Sequence, residues 1–296
     1  MPLPSLFSGY IRRTLTLTSS VARRNYHSLD KLATPTLVEP GKCVLNEEWT
    51  SLPLLFKKSI NHDTTLFSFS LNNSEQPLNL STCACVLAGT KDSTGELVVR
   101  PYTPISTNKQ LGRMDLIVKI YKDGIMTTKL NNLSVGETLD FKHIPFNVKV
   151  QYPFNKKRIL MIAGGSGITP MIQALYSILG TSNDTTKVDL VYCNKTSNDI
   201  SVDFNDWIQQ SNGRLHVHHV LSDEPNSSKW EGDRGFITKE ILERVIQSDE
   251  TKTELVFVCG PTPMYELLCG DRTHEELKEC SILDDMGFNT KQVYKF

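Results

Sequence analysis

One stretch limits what this chain can become more than any other: Arg158-Ile159-Leu160-Met161-Ile162-Ala163-Gly164-Gly165-Ser166-Gly167-Ile168-Thr169-Pro170-Met171. Ile159 to Ala163 is an apolar run of strand length, as in a strand buried on both faces. The glycines after it permit a sharp turn and leave room for a ligand. Thr169 is the expected helix N-cap, and Pro170 suits the first helical position. Met171, Ile172, Leu175, Ile178 and Leu179 then recur at helical spacing, with Gly180 as the expected stop. A strand, a glycine turn and a helix in that order converge backbone N–H groups on one point, which suits a phosphate.

Related turns are excluded residue by residue. The dinucleotide fingerprint G-x-G-x-x-G needs glycine where Pro170 stands. No lysine follows the glycines, so this is not a P-loop. Ser166 is not a hydrolase nucleophile elbow, because G-x-S-x-G needs glycine at Ile168. A purely structural strand-to-helix turn fits the same residues.

The 296 residues suggest two domains. A formal net charge of −1 does not favour nucleic acid as a partner. No run approaches the ~18 apolar residues of a membrane span. Seven cysteines with no C-x-x-C suit free thiols in a reduced compartment. Cys83 and Cys85 would share one face of a strand.

Residues 1–29 contain no Asp or Glu but carry Arg12, Arg13, Arg23 and Arg24 among many Ser and Thr. That is the pattern of a mitochondrial transit peptide. Residues 30–50 read as an irregular N-terminal segment. Residues 51–145 read as many short strands: Leu54–Ile60, Thr64–Leu71, Cys83–Leu87, Leu97–Arg100, Asp115–Tyr121 and Thr138–Phe141. In the second, Thr65, Phe67, Phe69 and Leu71 alternate with Leu66, Ser68 and Ser70. Asn61-His62-Asp63 marks the hairpin turn before it. One helix, about Met126 to Leu133, interrupts this small antiparallel barrel. Residues 146–157 read as a linker, broken by Pro153 and Lys156-Lys157.

Residues 158–296 alternate strand and helix. Val188–Cys193, Leu215–Leu221 and Leu255–Cys259 are the further strands. Phe204–Gln210, Lys239–Gln247 and Met264–Cys269 are the helices. The alternation predicts an open parallel sheet with helices on both faces, whose ligands bind beyond the strands' carboxyl ends. The fold class is therefore β + α/β: a small antiparallel barrel followed by an open parallel nucleotide-binding domain.

Several motifs then occur in a fixed order. They are R-P-Y-T-P at Arg100, V-K-I-Y at Val118, G-x-M-T at Gly124, G-G-S-G-I-T-P-M at Gly164, C-x-x-T-x-x-D-I at Cys193 and C-G-P-x-P-M at Cys259. Together they resemble the ferredoxin-reductase-like flavoproteins, and within them the NADH-cytochrome b5 reductases of mitochondrial type. The resemblance covers roughly residues 50–296.

The resemblance implies FAD on the barrel and NADH on the sheet, in an oxidoreductase. The nicotinamide would give a hydride to FAD, which would pass single electrons to a haem protein such as cytochrome b5. Arg100 would bond the flavin pyrophosphate, with Pro101 beside it and the N–H groups of Gly124, Ile125, Met126 and Thr127 as a second cradle. The Tyr102 ring would lie against the flavin. Thr103 would bond the flavin nitrogen that receives the hydride. Ile117 and Lys119 would face the cofactors. Gly164, Gly165, Ser166, Gly167 and Thr169 would hold the nucleotide pyrophosphate. Cys259 would align the nicotinamide, with Gly260, Pro261 and Met264 around it. Cys259 is not expected to act as a covalent nucleophile, since no motif supplies a histidine to activate it.

Three positions depart from the family pattern. Ser166 stands for the usual threonine, and Thr262 for the middle proline of C-G-P-P-P-M. Ser222 stands where NADH-specific members carry aspartate, although Asp223 and Glu224 adjoin it. Two alternatives fit the same residues: an NADPH-dependent reductase with another acceptor, and a flavin-bearing mitochondrial cytochrome assembly factor. No metal is expected, because His216, His218 and His219 lack evident acidic or thiol co-ligands. Lys156, Lys157 and Arg158 form a candidate basic patch for an acidic acceptor. Phe296 is expected to pack. The mature form is expected to be a mitochondrial monomer without a membrane span.

Overall fold

The computed structural model describes residues 42–144, 151–247 and 250–296. The transit segment expected over residues 1–29 lies outside them, as do most of residues 30–50 and the start of the linker.

Six antiparallel strands build the first half: β1 (Thr50–Ser59), β2 (Thr64–Ser70), β3 (Val86–Lys91), β4 (Leu97–Tyr102), β5 (Arg113–Lys119) and β6 (Thr138–His143). They lie in the order β4-β3-β6-β1-β2-β5, and helix α1 (Ile125–Asn132) joins β5 to β6. β1 serves two partners. Thr50–Pro53 pairs with β6, and Leu54–Ser59 pairs with β2, with a register shift between Leu54 and Phe56. Such a bulge bends the strand and lets one sheet curl into a barrel-like shape. Pro53 lies inside β1, so the strand starts upstream of the expected Leu54. The proline sits where the partner changes, so its missing N–H costs little.

The alternation read in β2 does not separate core from solvent. Phe67 and Phe69 fill the barrel core, where Phe69 meets Phe141 edge-on with ring centroids 4.8 Å apart. Leu66, on the opposite face, packs with Ile117, Phe154 and Ile159 against the second half. Ser68 is fully buried, and its hydroxyl donates to Asp115 Oδ1 at 2.6 Å. The second half covers the face that would otherwise meet water.

Two expected strands are shifted. β3 begins at Val86, so Cys83 and Cys85 do not share a strand face. Cys83 has φ +64° in a turn, and its Sγ donates to Pro170 O at 3.3 Å. β5 ends at Lys119 because its partner β2 begins opposite, at Thr64. Tyr121 is therefore outside the strand.

The second half comprises β7 (Arg158–Gly164), α2 (Ile168–Gly180), β8 (Lys187–Asn194), α3 (Asn205–Gln210), β9 (Leu215–Leu221), β10 (Asp233–Arg234), α4 (Lys239–Ile246), β11 (Leu255–Cys259), α5 (Thr262–Leu268), α6 (Ile282–Asp285) and β12 (Val293–Lys295). The strands are parallel, in the order β10-β9-β8-β7-β11-β12. β7 is central and buried throughout. Met171, Leu175 and Trp207 from α2 and α3 pack on one face, and Leu242 and Tyr265 from α4 and α5 on the other.

Arg158 is 1% exposed, which removes it from the expected basic patch. Its Nε donates to Asp189 Oδ2 at 2.6 Å. Nη1 donates to the carbonyls of Ile246 (2.6 Å) and Thr251 (3.0 Å), and Nη2 to that of Val245 (3.2 Å). The guanidinium thus meets carbonyls at the α4 C-terminus, where a cation is favoured. Lys157 remains exposed and Lys156 half-buried, so the patch is smaller than the sequence implies.

Candidate active site

The carboxyl ends of β7, β8, β9 and β11 face the barrel across a cleft of about 1340 Å³. A single small ligand typically occupies ~300–1,000 Å³, so there is room for more than one. From the barrel half, Arg100, Pro101, Tyr102, Thr103, Ile117, Lys119 and the turn Gly124–Thr127 line it. From the sheet half come Gly164, Gly165, Ser166, Gly167, Thr169, Cys259, Gly260, Pro261 and Met264. Every site residue named from the sequence therefore reaches this one cleft.

Helix N-termini from both halves open onto the cleft, among them those of α1 and α2. Neither α1 (N-cap Gly124) nor α2 (N-cap Gly167) has a side-chain cap. Thr169 is not the N-cap expected of it. Gly165–Gly167 already winds as a tight helical turn, so α2 starts at Ile168. Thr169 lies in the first turn, with its hydroxyl donating to Ser166 O at 3.2 Å. The Thr127 hydroxyl closes its own turn, accepting from Tyr121 N at 3.2 Å. Gly165 has φ +52°, a conformation glycine tolerates, and a Cβ there would meet nothing within 4 Å. Gly167 is the reverse case: a Cβ would lie 2.1 Å from Cys259 O. The turn and the end of β11 are thus in direct backbone contact.

Lys119 Nζ bonds Asp63 Oδ2 at 2.7 Å and Asp199 Oδ1 at 2.8 Å. Burial pulls the Lys119 ammonium down, but the bonds to the two carboxylates outweigh it and raise its pKa. Burial pushes Asp199 up, while the bonds from Lys119 and Thr196 hold it below the usual carboxylate value. Burial raises Cys259 to about 11, so it is a neutral thiol near pH 7. That agrees with alignment rather than nucleophilic attack. Burial also raises Tyr102 to about 12.

The remaining singled-out residues fall as follows. His216 Nδ1 lies 3.3 Å from Asp189 Oδ1, an acidic neighbour the sequence did not reveal. His219 packs instead between the rings of Tyr192 (5.7 Å) and Trp230 (6.0 Å). Phe296 packs on Phe257 (5.4 Å) and Tyr294 (4.7 Å) and also lines the cleft. Ser222 and Asp223 line it beyond β9, their N–H groups bonded to Asn194 O (3.0 Å) and Lys195 O (2.8 Å). Sequence reasoning missed His62, Asp63 and Asp199 as wall residues. The first two were read only as a turn. Asp199 and Thr196 stand in the motif at Cys193 but were given no role there; the two form a capping box.

The chain matches two described families. Residues 51–145 match the oxidoreductase FAD-binding domain, and residues 161–270 the oxidoreductase NAD-binding domain. It is an FAD- and NAD-binding oxidoreductase. NADH-cytochrome b5 reductase 2 of Botryotinia fuckeliana is 36% identical over 85% of this chain and 73% of its own length. The Candida albicans protein of that name is 32% identical over 91% and 99%. Among solved structures, the cytochrome b5 reductase domain of Ulva prolifera nitrate reductase superposes with TM-score 0.71 at 30% identity, covering 89% of this chain and all of that one. The CS-b5R domains of human Ncb5or in the NAD+ form also give TM-score 0.71, at 26% identity, over 84% and 69%. The chain belongs to the NADH-cytochrome b5 reductase family.

Proposed function

We propose that this chain is a mitochondrial NADH-cytochrome b5 reductase, working as a monomer with cytochrome b5 or a similar haem protein as acceptor. The gathering of both sets of motif residues around one cleft carries the reading. The two uncapped helix N-termini fit two pyrophosphates, one against the barrel and one against the sheet. When bound, FAD supplies the step between a two-electron hydride donor and a one-electron acceptor.

The protein's own part is binding and alignment. Arg100 is exposed on the cleft wall, with Nη1 donating to Val99 O at 2.7 Å, and can turn its charge to a phosphate. Tyr102 offers a ring face and Thr103 a hydroxyl at the same strand end. Ile117 and Lys119 line the wall between the halves. Gly164 to Gly167 and Thr169 receive the nicotinamide nucleotide's pyrophosphate. Cys259, Gly260, Pro261 and Met264 border the nicotinamide. Asp223, beside Ser222, is the carboxylate that favours NADH over its 2′-phosphorylated analogue. The names of the relatives support cytochrome b5 as acceptor, and the acid-free, Arg-rich residues 1–29 support mitochondrial import. No helix among the described residues is long and apolar enough to cross a membrane.

The purified protein is expected to be yellow, to bleach anaerobically with NADH, and to reduce cytochrome b5 faster than unrelated haem proteins. Arg100→Ala is expected to lose most of its flavin on gel filtration. A variant that keeps FAD as tightly as the parent removes Arg100 from the flavin site. A reporter fused to residues 1–29 is expected in mitochondria, and cytosolic staining overturns the targeting.

A further inference from the structure

Lys119 is bonded across the gap between the two halves. It ends β5 of the barrel half. Asp63, in the turn between β1 and β2, reaches it from the same half, and Asp199, in the loop after β8, reaches it from the other. Each carboxylate uses its second oxygen locally. Asp63 Oδ1 accepts from Thr64 Oγ1 at 2.8 Å. Asp199 Oδ2 accepts from Thr196 Oγ1 at 2.7 Å and from Thr196 N at 3.0 Å. Neither carboxylate can swing away without breaking a bond to its own turn.

His62, Asp63 and Asp199 have metal-ligand spacing among the described residues. The Lys119 ammonium already supplies the cation there. Its distances to both carboxylates are those of charge-assisted hydrogen bonds. Lys119, Asp63, Thr196 and Asp199 all line the cleft.

On another side, the halves are tied by neutral bonds. Gln173 Nε2 donates to Pro104 O (2.5 Å) and Ser106 O (2.9 Å), and Thr82 and Ser177 hydroxyls meet at 3.3 Å. Those bonds anchor α2 to barrel loops. The Lys119–Asp199 bond fixes a second point, from β5 to the loop after β8. The Lys119–Asp199 bond adds a charged tie at the cleft to the apolar packing and neutral bonds that join the halves elsewhere.

We propose that Asp63 and Asp199 are positioning residues that hold Lys119 Nζ from both halves and thereby set the gap across which the nicotinamide and flavin must meet. The inference rests on the function proposed above. Neutralising Asp199 removes the charged bond between the halves, and neutralising Asp63 removes the bond that holds Lys119 Nζ in place from within the barrel half. A misplacement of ~1 Å can cost on the order of 10²-fold in rate, so a partial loosening is expected to cost about 10-fold.

Stopped-flow reduction of the FAD-loaded full chain by NADH, without oxygen, tests this. Asp199→Asn is expected to lower the limiting reduction rate about 10-fold while flavin content stays equal to the parent. Asp199→Glu, which restores the charge, is expected to recover most of the loss. Lys119→Met combined with Asp199→Asn is expected to be no slower than the slower single variant, because the two changes break one interaction. A parental rate in Asp199→Asn, no recovery in Asp199→Glu, or fully multiplicative losses in the double variant overturns the proposal. Asp63→Asn leaves the Thr196 turn intact and must also slow reduction. A parental rate there overturns the proposal even if Asp199→Asn does not fold. Failure of the parent itself to bleach with NADH instead refutes the underlying function.

Discussion

Gly167→Ala isolates the contact between the glycine turn and the end of β11. Gly167 has φ −62°, so alanine suffers no backbone penalty there. The added Cβ would sit 2.1 Å from Cys259 O, 2.5 Å from Cys259 C and 3.0 Å from Gly260 N. Ordinary contact begins at 3.4 Å, so the turn and strand must part by at least about 1.3 Å. Neither side yields easily. The obstructing atoms are backbone in a strand paired on both edges, with β7 and β12. Helix α2, behind the turn, is buried along nearly its whole length. Overpacking of this kind costs ~1–3 kcal/mol, or roughly 2–4 °C of melting temperature per kcal/mol at this size.

The functional cost is expected to be larger than the cost to stability. The same displacement moves Cys259 relative to the glycine turn, and ~1 Å of misalignment can cost on the order of 10²-fold. Thermal denaturation, flavin content and anaerobic reduction by NADH would be measured on one preparation. Gly165→Ala is the comparison. Its methyl group has open space, but φ +52° makes a side chain strained by ~1–2 kcal/mol. Gly165→Ala is expected to lose stability with a smaller loss of reduction rate than Gly167→Ala. A Gly167→Ala protein with parental melting and parental reduction would refute the close approach and the reasoning built on it.

Arg158→Ala is expected to destabilise the protein by ~3–5 kcal/mol, because it leaves Asp189 buried without its cation. Urea denaturation measures this, and a loss below about 1 kcal/mol contradicts the buried ion pair. Burial holds His219 down to about 4, so the unfolded chain takes up its proton first as pH falls. The stability this neutral ring permits is full above about pH 6.5 and is lost down to about pH 4, by at most ~3 kcal/mol. His219→Gln is expected to flatten the melting temperature across that window, and an unchanged profile removes His219 as the cause. Cys259→Ser is expected to slow flavin reduction ~10–100-fold with FAD retained, and an unchanged rate leaves Cys259 a core thiol.

Much of the architecture is legible in local pattern. Leu215–Leu221 and Leu255–Cys259 are strands at the residues expected, since each apolar run is bounded by turn residues. The strand, glycine turn and helix around Gly164–Gly167 are likewise local. Their conformations depend on nearest neighbours and on glycine's freedom, both written in the chain. The order of motifs from Arg100 to Met264 named many of the residues that meet at the cleft, though not His62 or Asp63.

Other features depend on what a residue meets after the chain has folded. Lys156, Lys157 and Arg158 look alike as a basic run. Only the sheet brings Asp189 and the end of α4 to Arg158, and that turns a surface charge into a buried one. The alternation of β2 does not say what each face meets: Leu66 packs with the second half, and Ser68 bonds Asp115. Thr169 looks like a cap until the glycines before it take up helical turns of their own. Asp63 and Asp199 are far apart in sequence and of one charge, and nothing local pairs them. They meet through Lys119 because barrel and sheet dock there. The sequence by itself determined most of the elements, because local conformation follows from short-range sterics, and its ordered motifs marked many of the residues that line the cleft. The tertiary structure alone decided which charges are buried and which groups are paired across the gap, because burial and Coulomb attraction depend on distances that only the packed halves define.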